Sequence, residues 1–310
     1  YSISATEDHL IKTIDAEGNY VDKKLKDIDI AKDFVCLKLG SNIFPKKEYM
    51  FEEFNVDKCT NYKHMVLPKS LNVDLARFLG LFISEGSIQK IKDRTKYSSF
   101  SCSLSANVDG GEFIHAAFSL FKRLFKNRLT TMFISENRTV FSYNSVLFCE
   151  WVMSLFDDVY VKNKDIHIPD CIKQSPRQIQ VEFIKWLFEG DGTHKAICNG
   201  CRIEYSSKSE RLVQELQLML LNLGILSTIR FESRKGYLGE RYFTLHIVGK
   251  DSYDLFMSEI GFVTYYKTTH CKYSTDISNI SSYYLPNQHD LLNKIKEEYY
   301  KTTNKCYSGY

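Results

Sequence analysis

The sequence predicts an α+β fold in which one α-ββ-α-ββ-α unit occurs twice about a pseudo-twofold axis. Three observations lead there. Two nearly all-apolar helical stretches end alike, each is followed by paired strand signals, and a shift of about a hundred residues carries one set of elements onto the other.

Residues 1 to about 60 read as short strands and turns: "YSIS", "LIKTI", a turn at "AEGN", then "DFVCLKL". The first periodic helix is "SLNVDLARFLGLFISEG", with Ser70 or Asn72 as N-cap and Asp74 in its first turn. Apolar residues from Val73 to Ile83 run almost all round it, as in a helix buried on most faces. A hairpin follows, "SIQKIK" and "SSFSCSLS" around "DRTK", then the amphipathic helix "EFIHAAFSLFKRLF". A second hairpin, "TTMFISEN" with "RTVFSYN", and the helix "SVLFCEWVMSLF" close the first copy.

The second copy opens with "SPRQIQVEFIKWLFEGDG", where Ser175 is expected to cap, Pro176 to take the first helical position and Gln178 to complete a capping box. "HKAIC" and "CRIEYSS" flank an Asn-Gly turn, and "SERLVQELQLMLLNLG" is a helix stopped by Gly224. "ILSTIRFES" with "RYFTLHIVG" and the helix "DSYDLFMSEIGF" complete it. In this register Glu85 falls on Asp191, Gly86 on Gly192 and Ser87 on Thr193, a spacing of 106 residues, while Met153 and Met257 stand 104 apart. The expected organisation is a mostly β segment at 1–65, repeats at 66–165 and 166–270, and a C-terminal segment at 271–310 containing the amphipathic "HDLLNKIKEEYYKTT".

Composition sets limits. The 310 residues are 44% hydrophobic and 25% charged with five prolines, which is the balance of a packed chain and not of a disordered one. No apolar run is long enough to span a bilayer and the first residues lack a signal-peptide profile, so neither membrane nor secretion is expected. Nine scattered cysteines read as reduced thiols in an intracellular protein. The close pair Cys198 and Cys201, in "CNGC", reads as a hairpin turn in preference to half a zinc site. Residues 1–60 hold nine Lys and Arg against twelve Asp and Glu, a net of −3, which leaves +6 for the rest of a chain whose net charge is +3. That balance permits a nucleic-acid partner without naming one.

The repeat gives the acids their meaning. A carboxylate at a helix C-terminus is mildly unfavourable, because the dipole already places negative charge there. Two such ends, packed side by side, would bring Glu85, Asp191 and the last backbone carbonyls of both helices to one spot, where only a cation or a shared proton offsets the repulsion. Hard oxygen ligands suit Mg²⁺, with Mn²⁺ as a substitute. Ser84, Gly190 and the flanking glycines leave room for a close backbone. Metal-assisted hydrolysis of a phosphodiester is the chemistry this favours.

"LGLFISEG" and "WLFEGDG" resemble the paired signature helices of the LAGLIDADG homing endonucleases, here as both copies in one chain. "IHIPDCIKQSPRQIQVEFIKWLFEGDG" and "LVQELQLMLLNLGI" resemble the endonuclease blocks of intein members in particular. The resemblance implies that Glu85 and Asp191 are metal-binding acids, joined by the carbonyls of Ser84 and Gly190. The four hairpins would form a saddle of antiparallel sheets on double-stranded DNA with a long asymmetric site, the chain acting as a monomer. Both strands would be cut with 3′ extensions. Two lysines near the scissile phosphates would be Lys164, with Lys162 as a competitor, and Lys267. Lys164 lies eleven residues after Met153 and Lys267 ten after Met257.

Basic strand residues suit phosphate contact and guanine readout: Lys90, Lys92, Arg94 and Lys96 in the first hairpin, Arg230, Arg234, Lys235 and Arg241 in the last, and Lys195 and Arg202 between them. Strand alternation allows only every second residue to face DNA, and ordinary solvated sheet edges carry the same residue types. "ATEDH", with Thr6 and His9, resembles the T-x-x-H block of an intein splicing domain, and "KKLKDIDIAKDFVCLKLG" looks like the same fold, a partial one. Since the sequence starts at Tyr1 and stops at "YSGY", the junction nucleophiles are missing and self-splicing is not expected; the protein would reside where its host protein does. One departure concerns Trp186, where the family keeps a small residue at the helix interface. Either Gly80 opposite leaves space for the indole, or the helices splay.

Overall fold

The computed structural model describes the chain apart from residues 2–3, 16–17, 55–65, 91–96, 106–110, 126–129, 136–137, 160–164, 198–199, 234–240, 272–288 and 304–310. It divides into two units. One joins Tyr1–Lys38 with Ile280–Tyr310, and the other is Leu39–Asn279. Among the described residues no helix is long and apolar enough to cross a membrane.

In the smaller unit, β1 (Leu10–Ile14), β2 (Tyr20–Lys24) and β3 (Phe34–Val35) form an antiparallel sheet in the order β2-β1-β3. The Asp15 carboxylate accepts from the Asn19 amide at 2.7 Å, and Gly18 takes a positive φ of 86°, so this turn has the acid and the glycine it requires. Tyr1 and Ser4, the described residues of "YSIS", are not in a strand.

The larger unit contains the repeat. Its first copy is α1 (Val73–Glu85), β4 (Gly86–Lys90), β5 (Tyr97–Ser105), α2 (Glu112–Phe125), β6 (Thr130–Ser135), β7 (Arg138–Asn144) and α3 (Val146–Ser154). A short α4 (Asp170–Lys173) precedes the second copy: α5 (Arg177–Asp191), β8 (Gly192–Ile197), β9 (Gly200–Ser207), α6 (Glu210–Asn222), β10 (Ser227–Ser233), β11 (Arg241–Ile247) and α7 (Lys250–Glu259). The short helix α8 (Tyr265–Thr269) comes next, and α9 (His289–Thr303) belongs to the smaller unit. The two sheets run β4-β5-β7-β6 and β8-β9-β11-β10, the same order of counterparts, all antiparallel.

Capping fixes where these helices begin. Asn72 caps α1, its side chain accepting from the Leu75 amide at 2.9 Å, while Ser70 pairs as a bridge with Met50. Ser145 and Ser209 cap α3 and α6 in the same way. Ser175 does not cap α5. The cap is Pro176, and the Ser175 hydroxyl donates back to the Cys171 carbonyl at 2.6 Å, because α4 ends one turn earlier and its exposed carbonyls compete for that donor. The Gln180 side chain, donating to the carbonyls of Lys173 and Ser175, finishes the junction that Gln178 was expected to close.

α1 and α5 pack against each other at the centre. Their outer faces meet two aromatic cores, one around Phe78, Phe82, Phe100, Phe121 and Phe125 in mostly edge-on contacts of 5–6 Å, the other around Phe188, Tyr205 and Phe256. The helices do not splay at Trp186. A Cβ added to Gly80 would lie 2.5 Å from the Phe183 carbonyl and 3.2 Å from the Trp186 Cβ, so the backbones touch there. The indole turns off the axis to Phe113 of α2, centroids 6.0 Å apart, and is 5% exposed. Gly80→Ala is therefore expected to lower stability by about 1–3 kcal/mol in urea denaturation, since backbone atoms must move to admit the methyl.

Candidate functional site

The two repeated helices end at neighbouring points. Glu85 is the last residue of α1 and Asp191 the last of α5, and each helix passes straight into a strand through an extended glycine, Gly86 or Gly192. A side chain at Gly190 would collide with Ser84, 2.1 Å from its Oγ, and would meet Glu85 Cγ at 3.5 Å. The Ser84 hydroxyl is buried and turned back on α1, donating to the Leu81 carbonyl at 3.1 Å. Glu85 is half-buried and Asp191 exposed. The Asp191 charge reaches the wholly buried Tyr205, whose phenol burial pushes well above its ordinary range with Asp191 adding to the shift.

A cleft of about 250 Å³ opens beside this tip, lined by Glu85, Gly190 and Glu189, by Ser103, Leu104 and Ser105 of β5, by Phe113, and by Thr264, Tyr266 and Lys267. Lys267 lies on α8 with its ammonium over the end of α5. It donates to the carbonyls of Phe188 at 3.3 Å, Gly192 at 2.8 Å and Glu189. An ammonium on the negative pole of a helix is favourable. These carbonyls are engaged by the lysine, while Glu85 and Asp191 at the two helix ends offer hard oxygen donors of the kind that suit a divalent ion.

Glu189 lies within "WLFEGDG" without a role of its own in that motif, yet it positions this lysine. It is 3% exposed and accepts from the Val263 amide at 2.7 Å, the Thr264 amide at 3.2 Å and the Thr264 hydroxyl at 2.9 Å. Thr264 in turn caps α8, accepting from the Lys267 amide at 3.2 Å. In the repeat register Glu189 stands where the first copy has Ile83, and a charge at an apolar position is the signal that could have found it.

Strand register separates the basic residues. Lys195 pairs across from Arg202, and Glu204, Thr244 and Arg230 follow on the same face of the second sheet. On that face Glu204 accepts from Lys195 at 2.6 Å, lies 3.5 Å from Arg202 and contacts His246 at 3.1 Å. Burial would raise the Glu204 carboxyl, but the hydrogen bond and charge of Lys195, with His246 and Arg202, carry it below its ordinary value. Arg230 is exposed. Arg241, also exposed, lies opposite Ser233 and so has the parity of Phe243, on the other face. In the first sheet the corresponding face bears Ser87, Ser99, Ser101, Ser103 and Ser142, with Arg138 donating to Ser103 Oγ at 2.9 Å. Arg138 carries no signal in the sequence because it stands alone at a strand start.

Lys90 ends β4 opposite Tyr97. Lys162, Lys164, Lys92, Arg94, Lys96, Arg234 and Lys235 lie outside the described residues, as does Cys198 of the "CNGC" turn. Thr6 and His9 are exposed in the smaller unit, the His9 amide donating to the Thr6 carbonyl at 3.0 Å.

Comparison with known proteins gives partial likenesses. The chain is 28% identical over 261 residues to a probable translation initiation factor IF-2 of Methanocaldococcus jannaschii, covering 79% of this chain and 21% of that protein. It is 31% identical over 102 residues to a DNA gyrase component of Mycobacterium gordonae, covering 33% of this chain and 18% of the gyrase. The chain thus spans about a fifth of the length of these curated relatives. Similar solved structures include the homing endonuclease I-DmoI in complex with DNA and Mn, with a TM-score of 0.42, 20% identity and 61% and 98% of the two chains covered. The homing endonuclease I-WcaI bound to its DNA recognition sequence has a TM-score of 0.44 at 13% identity, over 64% and 87%. Residues 178–261, which hold most of α5 and the elements through α7, match the family model described as LAGLIDADG-like domain.

Proposed function

We propose that this protein is a site-specific, metal-dependent endonuclease of double-stranded DNA, acting as a monomer with internal pseudo-twofold symmetry. The observation that carries the reading is the pair of acids, Glu85 and Asp191, at the joined ends of α1 and α5. Glu85 and Asp191, with the carbonyls of Ser84 and Gly190, would hold Mg²⁺ or Mn²⁺. When bound, the metal lowers the pKa of water and stabilises charge on the phosphoryl and leaving oxygens.

The chain's own groups do the rest. Lys267 presents a positive charge beside the tip, where it stabilises the phosphorane, and Lys164 would serve the other strand. Lys195, Arg202 and Arg230, on one face of the second sheet, contact phosphates, and the serine-rich face of the first sheet supplies hydrogen bonds at close range. Ordering by Glu204 places Lys195 and Arg202 before DNA arrives, which reduces the entropy lost on binding. Arg241 reaches DNA only from the strand end. Lys90, Lys92, Arg94, Lys96, Arg234 and Lys235 complete the proposed contacts at the hairpin ends.

We further infer that the nuclease is carried by an intein and promotes the mobility of its own gene, with a staggered cut leaving 3′ extensions. The relatives named above, an initiation factor and a DNA gyrase, are unlike one another and match over only a part of each, as an insert carried by different hosts would. The Thr6 and His9 pattern supports the same reading. The test is incubation with plasmid carrying the uninterrupted host gene. Linearisation in Mg²⁺ and none in EDTA is expected, whereas tight binding without cutting would favour a DNA-binding relic.

A further inference from the structure

On the buried face of the second sheet, His194 of β8 and Cys201 of β9 meet Cys271, which follows α8 by two residues. One ligand atom from each lies within 4.8 Å of the others, and all three residues are buried. The Tyr253 hydroxyl of α7 stands 2.9 Å from His194 Nε2 and is hydrogen-bonded to Cys201, which also contacts the Cys271 thiol. We propose that His194, Cys201 and Cys271 bind a borderline-soft divalent ion of the zinc class, with the Tyr253 hydroxyl at the fourth corner.

Four features converge on this assignment. Two thiols and an imidazole form a soft donor set that selects zinc over Mg²⁺. A tetrahedral ion with Zn–S of ~2.3 Å and Zn–N of ~2.0 Å sets its ligand atoms roughly 3.5–3.8 Å apart. The cluster therefore reaches that geometry by contracting no more than about 1.3 Å. His194 Nδ1 lies 2.6 Å from the Lys267 carbonyl, so Nδ1–H donates there, the outer hydrogen bond that orients metal-binding histidines, and the Nε2 lone pair accepts from the Tyr253 hydroxyl at 2.9 Å, a bond that a metal would replace. The ring is fixed further by stacking on Phe262 at 5.5 Å and an interplanar angle of 12°.

Binding replaces two S–H protons with two metal–sulfur bonds, and both protons leave to solvent. Burial pushes the Cys271 thiol up to about 12, so without metal this thiol stays protonated. A disulfide between the cysteines would use neither the Nε2 lone pair nor the tyrosine. The ion would tie the β8–β9 hairpin to the segment after α8 and hold that helix, with Lys267, against the end of α5. This assignment stands apart from the nuclease reading, since it concerns a structural ion of a different chemical class.

The experiment uses the full chain, purified under reductant without a chelating column. Elemental analysis should return one equivalent of zinc, and Co²⁺ substitution should give a thiolate-to-metal charge-transfer band. Cys201→Ser and Cys271→Ser should each lose at least tenfold in zinc affinity, while Cys36→Ser, in the other unit, retains it. X-ray absorption on the zinc-loaded wild type is independent of how the variants fold, and should show two sulfur neighbours and one imidazole. Substoichiometric zinc that added Zn²⁺ does not complete, a sulfur-free coordination shell, or a Cys201–Cys271 disulfide formed in preference to metal would each overturn the assignment.

Discussion

Glu189→Ala is expected to destabilise the protein by about 3–5 kcal/mol, read from the midpoint and slope of a urea unfolding curve. The carboxylate is 3% exposed and is the partner of three donors, two amides and a hydroxyl, at 263 and 264. Removing it leaves those donors buried and unpaired, at a cost of roughly 1–3 kcal/mol each before relaxation. The second consequence is local. Thr264 caps α8, and α8 holds Lys267 on the α5 carbonyls, so the lysine should lose its fixed place. Glu189→Gln keeps one acceptor oxygen and is expected to recover part of the stability. A loss under 1 kcal/mol for the alanine variant would mean that water replaces the carboxylate and the site is open.

Asp191→Asn is expected to do the reverse: abolish activity and leave stability within about 0.5 kcal/mol of wild type. Asp191 is exposed at a helix C-terminus, where the dipole makes negative charge unfavourable by about 0.3–1 kcal/mol. Asparagine keeps the size and removes the charge proposed to bind the metal. Cleavage should fall on the order of 10³-fold or more, with DNA affinity measured in Ca²⁺ changed far less. A variant that melts early and cleaves normally would make Asp191 a structural residue.

Much of the fold is legible from residues alone, and the reasons differ by element. α1, α2 and the eight repeat strands follow from strong periodicity and turn chemistry, and the shift near a hundred residues then fixes their pairing. The start of α5 is different, because Ser175 is a good cap locally while its hydroxyl is drawn to α4, a four-residue helix too short to leave a pattern. Trp186 stays an open choice until the third partner, Phe113 on α2, is in place. The segment at 40–43 belongs with the larger unit through hydrogen bonds to the end of α6, Gly40 to Leu221 and Asn42 to Asn222, which join residues about 180 apart and have no local signature. His194, Cys201 and Cys271 share that difficulty. In the chain Cys201 invites pairing with Cys198 across a turn, and only the fold brings His194 and Cys271 to it.

The basic residues show how register sorts candidates that look alike in the sequence. Composition marks Lys195, Arg202, Arg230 and Arg241 alike, yet pairing places three on one face and Arg241 on the other.

Catalysis as proposed requires Glu85 and Asp191 to form one centre, and strand-resolved cleavage of an end-labelled target duplex tests this most directly. Wild type in Mg²⁺ should cut both strands at offset positions, and neither in EDTA. Glu85→Gln and Asp191→Asn, each tested alone, should leave both strands intact while still binding the duplex. If either variant cuts both strands at the wild-type rate, the acids do not form a shared metal centre.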